Sequence, residues 1–155
     1  MTRATDPRVP LASIVFGYGP MLPLVAAALG AWFLPEPWPL IAMQLAITWA
    51  AVILAFIAGV RRGFGFGQDR ASTPVEIVTG MAYITIAFLA LVVSRPSVAC
   101  ALLVVGYLLA ALLDRTAALA GNAPLHFARL RPPQLCLGAL GMAALWAWLL
   151  FGERP

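Results

Sequence analysis

The chain contains no lysine and little charge of either sign. Charged residues make up 10% of its 155 residues, all the basic ones are arginines, and hydrophobic residues make up 63%. A soluble domain carries about 25% charged residues, so this composition excludes an ordinary soluble domain. The arginines lie at the ends of apolar segments rather than in one basic patch, which excludes nucleic acid as a partner.

Cysteine and histidine are equally scarce. Cys100, Cys136 and His126 are the full set, too few for a four-ligand zinc site or an iron–sulfur cluster. A single histidine also excludes bis-histidine haem ligation. We therefore expect no metal and no cofactor. A disulfide is possible by count, but both cysteines sit in apolar sequence, which favours buried free thiols.

Long apolar stretches account for most of the chain. Each approaches the roughly 20 residues that a helix needs to cross a bilayer core of about 30 Å. The sequence therefore predicts an all-α, polytopic membrane helical bundle with five transmembrane helices, forming a single integral membrane domain over residues 1–155. The first stretch exceeds the h-region of a signal peptide, so we expect no cleaved leader. The predicted spans are 11–34, 40–60, 77–94, 97–113 and 135–151.

The arginines divide unevenly between the two sides that five spans define. One side carries Arg3, Arg8, Arg61, Arg62, Arg70, Arg115, Arg129 and Arg131. The other side carries Arg95 and Arg154. The positive-inside rule then places the N-terminus in the cytoplasm and the C-terminus in the periplasm of a bacterial inner membrane. In a eukaryotic cell the same pattern would indicate the mitochondrial inner membrane.

The first span contains a predicted kink at Gly19, Pro20 and Pro23. Proline removes a backbone hydrogen bond and clashes with the preceding turn. A broken membrane helix sometimes marks a transport site, but no second break stands in a matching position, so a packing kink is the favoured interpretation.

Pairs of small residues four apart allow helices to approach closely. Two such pairs are predicted packing positions: Gly59 with Gly63, and Gly106 with Ala110. In the second span, Gln44 and Thr48 share a helix face that we expect to point at protein, because polar side chains in lipid are costly.

Charged residues gather at the ends of the second and fourth spans and in the loop that follows. We expect this cluster to form an interfacial ion-pair network and to bind anionic lipid headgroups. Asp114 is expected to pair with an arginine, with Arg61, Arg62 and Arg129 as candidates. Segment 122–131 is expected to be a short amphipathic helix on the membrane surface. The predicted cluster comprises Arg61, Arg62, Asp114, Arg115, Arg129 and Arg131.

Three segments together resemble a known family. Residues 51–61 (AVILAFIAGVR) are similar to the end of its second helix, and Asp114-Arg115 followed by Ala-Pro and Leu-Arg resembles its loop motif. The segment Gly-Pro-Met-Leu-Pro at 19–23 is similar to the break in its first helix. The family is a domain-of-unknown-function family typified by transmembrane protein 69. The chain departs from it at 61–63, where Arg-Arg-Gly replaces a His/Lys-Trp-Gly motif. The resemblance implies a multi-spanning inner-membrane protein and no known reaction.

No catalytic residues are assigned. Only Glu76, Asp114 and His126 could act as bases, and no serine or cysteine has the surroundings of a nucleophile. The leading hypothesis is a small non-enzymatic accessory or assembly subunit, partnered by a larger inner-membrane complex or by further copies of itself. One alternative is a small-solute transporter that works as an oligomer. A second alternative is a lipid- or quinone-modifying enzyme.

Overall fold

A computed structural model describes residues 10–66 and 73–152, apart from the side chains of 64–66. Throughout these ranges the regular structure is helical, and five helical segments are long and apolar enough to span a membrane. The first of these segments, Leu11–Phe33, is divided into two helices by a 3-10 turn. Arg3, Arg8, Arg70 and Arg154, which contributed to the predicted topology, lie outside the described residues. The elements are α1 (Leu11–Tyr18), a 3-10 turn (Gly19–Met21), α2 (Leu22–Phe33), α3 (Trp38–Phe66), α4 (Pro74–Val92), α5 (Pro96–Leu119) and α6 (Phe127–Phe151).

The predicted break in the first span is confirmed as the 3-10 turn between α1 and α2. Pro20 and Pro23 cannot donate backbone hydrogen bonds, so the regular helical pattern fails here. The indole Nε1 of Trp49, on α3, donates to the carbonyl of Pro20 at 2.8 Å. A neighbouring helix therefore holds the broken segment in place.

The last span begins earlier than the sequence indicated. Helix α6 starts at Phe127 rather than at residue 135, and it runs through Pro132 and Pro133. The expected surface helix over 122–131 is wrong, because the second half of that segment forms the first turns of α6. Pro132 and Pro133 are the sixth and seventh residues of α6, so the carbonyls of Ala128 and Arg129 lose their helical donors there.

Helix α4 begins at Pro74, ahead of the predicted residue 77, because Thr73 and Glu76 form a capping box. The Thr73 N–H donates to Glu76 Oε2 at 2.8 Å, and the Glu76 N–H donates to Thr73 Oγ1 at 3.3 Å. Such a pair satisfies two backbone donors at a helix start. Glu76, a candidate base in the sequence, therefore has a structural role at this helix end.

The long helices form a closed ring in which each packs against the next in sequence and α6 returns to α2. Helices α3 and α5 also touch across the middle. Gly141 lets α6 approach α2 closely, since a Cβ at this position would lie 3.0 Å from the Leu24 carbonyl. At Gly106 a Cβ would lie 2.6 Å from Leu54 Cδ2, and Ala110 is fully buried one turn later. This predicted small-residue pair thus lies in the helix-packed core.

Both cysteines are free thiols, Cys100 buried and Cys136 half-buried, in agreement with the interpretation from their apolar surroundings.

Candidate functional site

A buried ion pair joins α3 to α5 near one end of the bundle. The Arg61 Nη1 donates to Asp114 Oδ1 at 2.7 Å, and both side chains are 7% exposed. Both residues precede the end of their helix by little more than one turn. The predicted pairing of Asp114 with an arginine is therefore confirmed for Arg61.

A second arginine approaches the same carboxylate from α6. Arg131 Nε lies 3.8 Å from Asp114 Oδ2, and its guanidinium lies 4.6 Å from the centroid of the Phe127 ring. The first distance exceeds that of a hydrogen bond, so Arg131 is held by charge attraction and by a cation–π contact. Arg131 was predicted to belong to the cluster but not to be this partner. We call Arg61, Asp114 and Arg131 the buried charge cluster.

The buried charge cluster has more positive than negative charge. Two guanidinium groups face one carboxylate, and within 10–66 and 73–152 no other carboxylate bonds to either arginine. Arg61 Nε is buried without a hydrogen-bond partner among the described residues. The Tyr83 phenol on α4 interacts electrostatically with Asp114. Helices α3 to α6 therefore each contribute one polar side chain to this region.

The remaining members of the predicted cluster lie elsewhere. Arg62, Arg115 and Arg129 are exposed, whereas the three residues of the buried charge cluster are shielded. The prediction from the sequence placed all six residues in one interfacial cluster. The structure separates them into an internal network that ties helices together and three arginines on the surface.

An apolar groove runs beside the buried charge cluster, between α1, α3 and α6. Its volume is about 440 Å³, within the usual range for small-molecule sites. Phe16 and Gly17 line it from α1, and Leu130 from α6. Gly17 lets α1 and α6 pack closely along this wall, since a Cβ there would lie 3.0 Å from Gln134 Oε1. We call this cavity the α1/α3/α6 groove.

The groove is polar at one end only. Arg131 and Gln134, one turn apart on α6, both line it. Gln134 is 4% exposed and its Oε1 has no hydrogen-bond partner among the described residues. At the other end lies Trp49, whose indole N–H is already bonded to Pro20. From Trp49 to Val60, both of which line the groove, α3 rises roughly 16 Å at about 1.5 Å per residue.

His126 immediately precedes α6. Its ring packs edge-on against Phe127 with centroids 4.9 Å apart. Burial, and then the charge of Arg131, lower the pKa of His126 below its usual value. The neutral imidazole is therefore favoured at neutral pH. Across the described residues, no group of three or more histidine, cysteine or acidic side chains is placed to hold a metal ion.

The other predicted packing pair, Gly59 with Gly63, does not form a helix contact within the described chain. Both glycines are exposed, and a Cβ at either would meet nothing within 4 Å. Gln44 and Thr48, expected to face protein, are exposed too. The Thr48 hydroxyl donates to the Gln44 carbonyl at 3.0 Å. All four residues lie on an exposed side of α3 because the ring of helices packs against its other sides.

Sequence reasoning missed Tyr83 and Gln134. Tyr83 lies in a largely apolar run with no charged neighbour that would mark it. Gln134 follows two prolines, which suggested a loop, although Phe127, Leu130, Arg131 and Gln134 repeat at helical spacing. That spacing was the one available signal that Arg131 and Gln134 share a face of a continuous helix.

The chain belongs to a family described as proteins of unknown function (DUF3429), which it matches over residues 9–150. No curated protein and no solved structure matches the chain. Membership of this family assigns no reaction to the chain.

Proposed function

We propose that the chain is a non-enzymatic accessory or assembly subunit that binds a larger membrane complex through α3. We place it in a bacterial inner membrane with a cytoplasmic N-terminus, in contact with anionic lipids through its surface arginines. In this proposal the chain is a divergent relative of the family typified by transmembrane protein 69.

One observation supports the proposal above others: a single exposed face of α3 carries both an amide and two unopposed glycines. Thr48, Val52, Gly59 and Gly63 recur at intervals of four and seven residues, so they lie on one side of the helix. Gln44 lies one turn before Thr48. We call these five residues the outer face of α3.

The two ends of the outer face favour a helix as its occupant. The side-chain amide of Gln44 has no hydrogen-bond partner among the described residues, and an amide facing hydrocarbon is costly unless another helix supplies one. Gly59 and Gly63 would let the backbone of a second helix approach closely. A partner helix with a polar side chain opposite Gln44 would satisfy both features.

The charged residues support a structural role over a catalytic one. Asp114, the buried carboxylate at the site, is already engaged by Arg61 at 2.7 Å, and Glu76 caps α4. A general base must be free to accept a proton from substrate. The pairing of Asp114 and the capping role of Glu76 therefore favour helix fastening.

Affinity purification from native membranes in mild detergent tests the proposal. We expect the unmodified chain to retain a larger membrane protein in fixed ratio. Gly59→Leu combined with Gly63→Leu should release it, since the added side chains prevent close approach. Thr85→Leu, at an exposed position on α4, is the matched control and should retain the partner. A homo-oligomer without another protein would overturn the accessory role and favour the transporter.

Reporter fusions at the two termini test the proposed orientation. We expect cytoplasmic activity at the N-terminus and periplasmic activity at the C-terminus, because of the arginine distribution. An external N-terminus would overturn it.

A further inference from the structure

The α1/α3/α6 groove combines features that a bundle does not need for its own stability. It is long, apolar along most of its length, and bounded at one end by Arg131 and Gln134. Gln134 Oε1 is buried without a described partner. An amide oxygen buried without a hydrogen bond costs free energy, so Gln134 does not serve the stability of the bundle. Its side-chain NH2 is the group that can donate to a ligand.

The charge at the same end points to an anion. Arg61 and Arg131 share the single carboxylate of Asp114, and Arg61 takes the short contact. Arg131 is left with a 3.8 Å contact to Asp114 and the face of Phe127. A buried charge is stable only when it is well paired. A second anion at Arg131 would balance the two arginines.

The shape of the groove indicates that the anion is the head group of a molecule with a long apolar part. Its α3 wall rises roughly 16 Å from Val60 to Trp49, and Ile53 and Phe56 lie between them. The polar groups stand at the end nearest the helix termini, and the apolar walls run toward the middle of the bundle. An extended hydrocarbon chain with a charged head matches this order.

We propose that the α1/α3/α6 groove binds one acyl chain of an anionic amphiphile, with its head group at Arg131 and Gln134. The guanidinium of Arg131 donates charge-assisted hydrogen bonds to the head group, and the side-chain NH2 of Gln134 donates a neutral one. The acyl chain lies against Phe16, Ile53 and Phe56. The head group is a carboxylate or a phosphate, from a free fatty acid or an anionic phospholipid. This binding is independent of the accessory role of α3.

Titration of the delipidated, detergent-purified protein with brominated amphiphiles tests the proposal. Bromine on an acyl chain in the groove should quench the fluorescence of Trp49, and Trp49→Phe should remove that part of the signal. The probes are brominated palmitate, brominated phosphatidylglycerol and brominated phosphatidylcholine. Saturable quenching by palmitate alone would identify a free fatty acid, and by phosphatidylglycerol an anionic phospholipid. Equal quenching by phosphatidylcholine would overturn the anionic requirement.

Two variants test the polar end of the groove separately. Arg131→Gln leaves the Arg61–Asp114 pair intact and should weaken binding of the anionic probe at least tenfold, since charge-assisted hydrogen bonds are the stronger class. Gln134→Leu keeps every charge and removes the unpartnered amide. It should weaken binding severalfold while the melting temperature of the empty protein stays equal or rises.

Arg129→Gln is the matched control, because Arg129 is exposed on the same helix and does not line the groove. It should retain the affinity and the Trp49 quenching of the unmodified protein. Equal losses in Arg129→Gln and Arg131→Gln would indicate headgroup binding at the surface and overturn the groove proposal. Unchanged affinity in Gln134→Leu and Arg131→Gln would overturn it as well.

Discussion

The charged end of the bundle and its apolar middle are stabilised in different ways. In the middle, Tyr107 is fully buried and its hydroxyl donates to the Ala50 carbonyl at 3.1 Å, while Gly141 allows helix α6 to touch the backbone of α2. At the charged end, Arg61 Nε and Gln134 Oε1 are buried without a described hydrogen-bond partner. The buried hydroxyl of the middle is therefore paired, whereas the charged end contains buried polar atoms without a described partner, which is the basis of the proposed lipid site.

This difference distinguishes buried polar groups that only stabilise the fold from those that could also bind a ligand. A single buried hydroxyl with a carbonyl partner adds stability and requires nothing further. Two arginines sharing one carboxylate hold helices together, yet leave charge that an anion could balance. Mutations in the two regions should therefore differ in how much they change the free energy of unfolding and in whether added lipid alters that change.

The largest effect is expected from Asp114→Asn at the charged end. Removing the carboxylate leaves Arg61 and Arg131 buried without their anion, a change that costs about 3–5 kcal/mol in comparable networks. Denaturant titration of the detergent-purified protein measures the loss. Arg115→Gln, at the exposed neighbouring position, is the control and should change stability by less than about 0.5 kcal/mol. An Asp114→Asn protein as stable as the parent would show that the buried charge cluster is not a structural fastening.

A smaller effect is expected in the apolar middle from Gly141→Ala. The added Cβ would lie 3.0 Å from the backbone of Leu24, and overpacking of this kind costs about 1–3 kcal/mol. The same denaturant titration reports it. Gly59→Ala is the matched control: its Cβ meets open space, and alanine is the better helix former. If both substitutions were equally tolerated, α2 and α6 would not be as closely packed as described.

The smallest effect is expected from His126→Gln, and it depends on pH. Because burial and Arg131 lower the pKa of His126, the folded state resists protonation more than the unfolded chain does. The unmodified protein should lose stability as pH falls below about 6.5, the ordinary histidine pKa. His126→Gln should lose less over that window, with no difference between the two proteins above pH 7.5. Parallel pH profiles of melting temperature would contradict the assignment.

The helices could be predicted because hydropathy and proline are local signals. Gly19, Pro20 and Pro23 marked the break in the first span, and the observed 3-10 turn coincides with it. The start of α6 was misplaced because Pro132 and Pro133 usually end a helix. Here the helix had already begun at Phe127.

The members of the candidate site were only partly predictable. An arginine partner for Asp114 could be predicted because an unpaired carboxylate in a membrane helix is costly. Its partners come from α3 and α6, far away in sequence. Three other arginines lie near the same helix ends, so sequence position does not distinguish them from the two partners. Exposure separates Arg61 and Arg131 from Arg62, Arg115 and Arg129, and exposure depends on how helices rotate against one another.

The sequence by itself determined that this chain is a five-helix membrane protein with a broken first helix, since both properties follow from runs of neighbouring residues and their transfer free energies. The tertiary structure alone decided which polar groups are buried together and where the groove lies. The packing of each helix against its neighbours in the ring fixes how the helices are rotated, and it brings Arg131 close to Asp114 and Gln134 close to Gly17. It also leaves Gly59 and Gly63 on the outside of α3, because no helix of the ring covers that face.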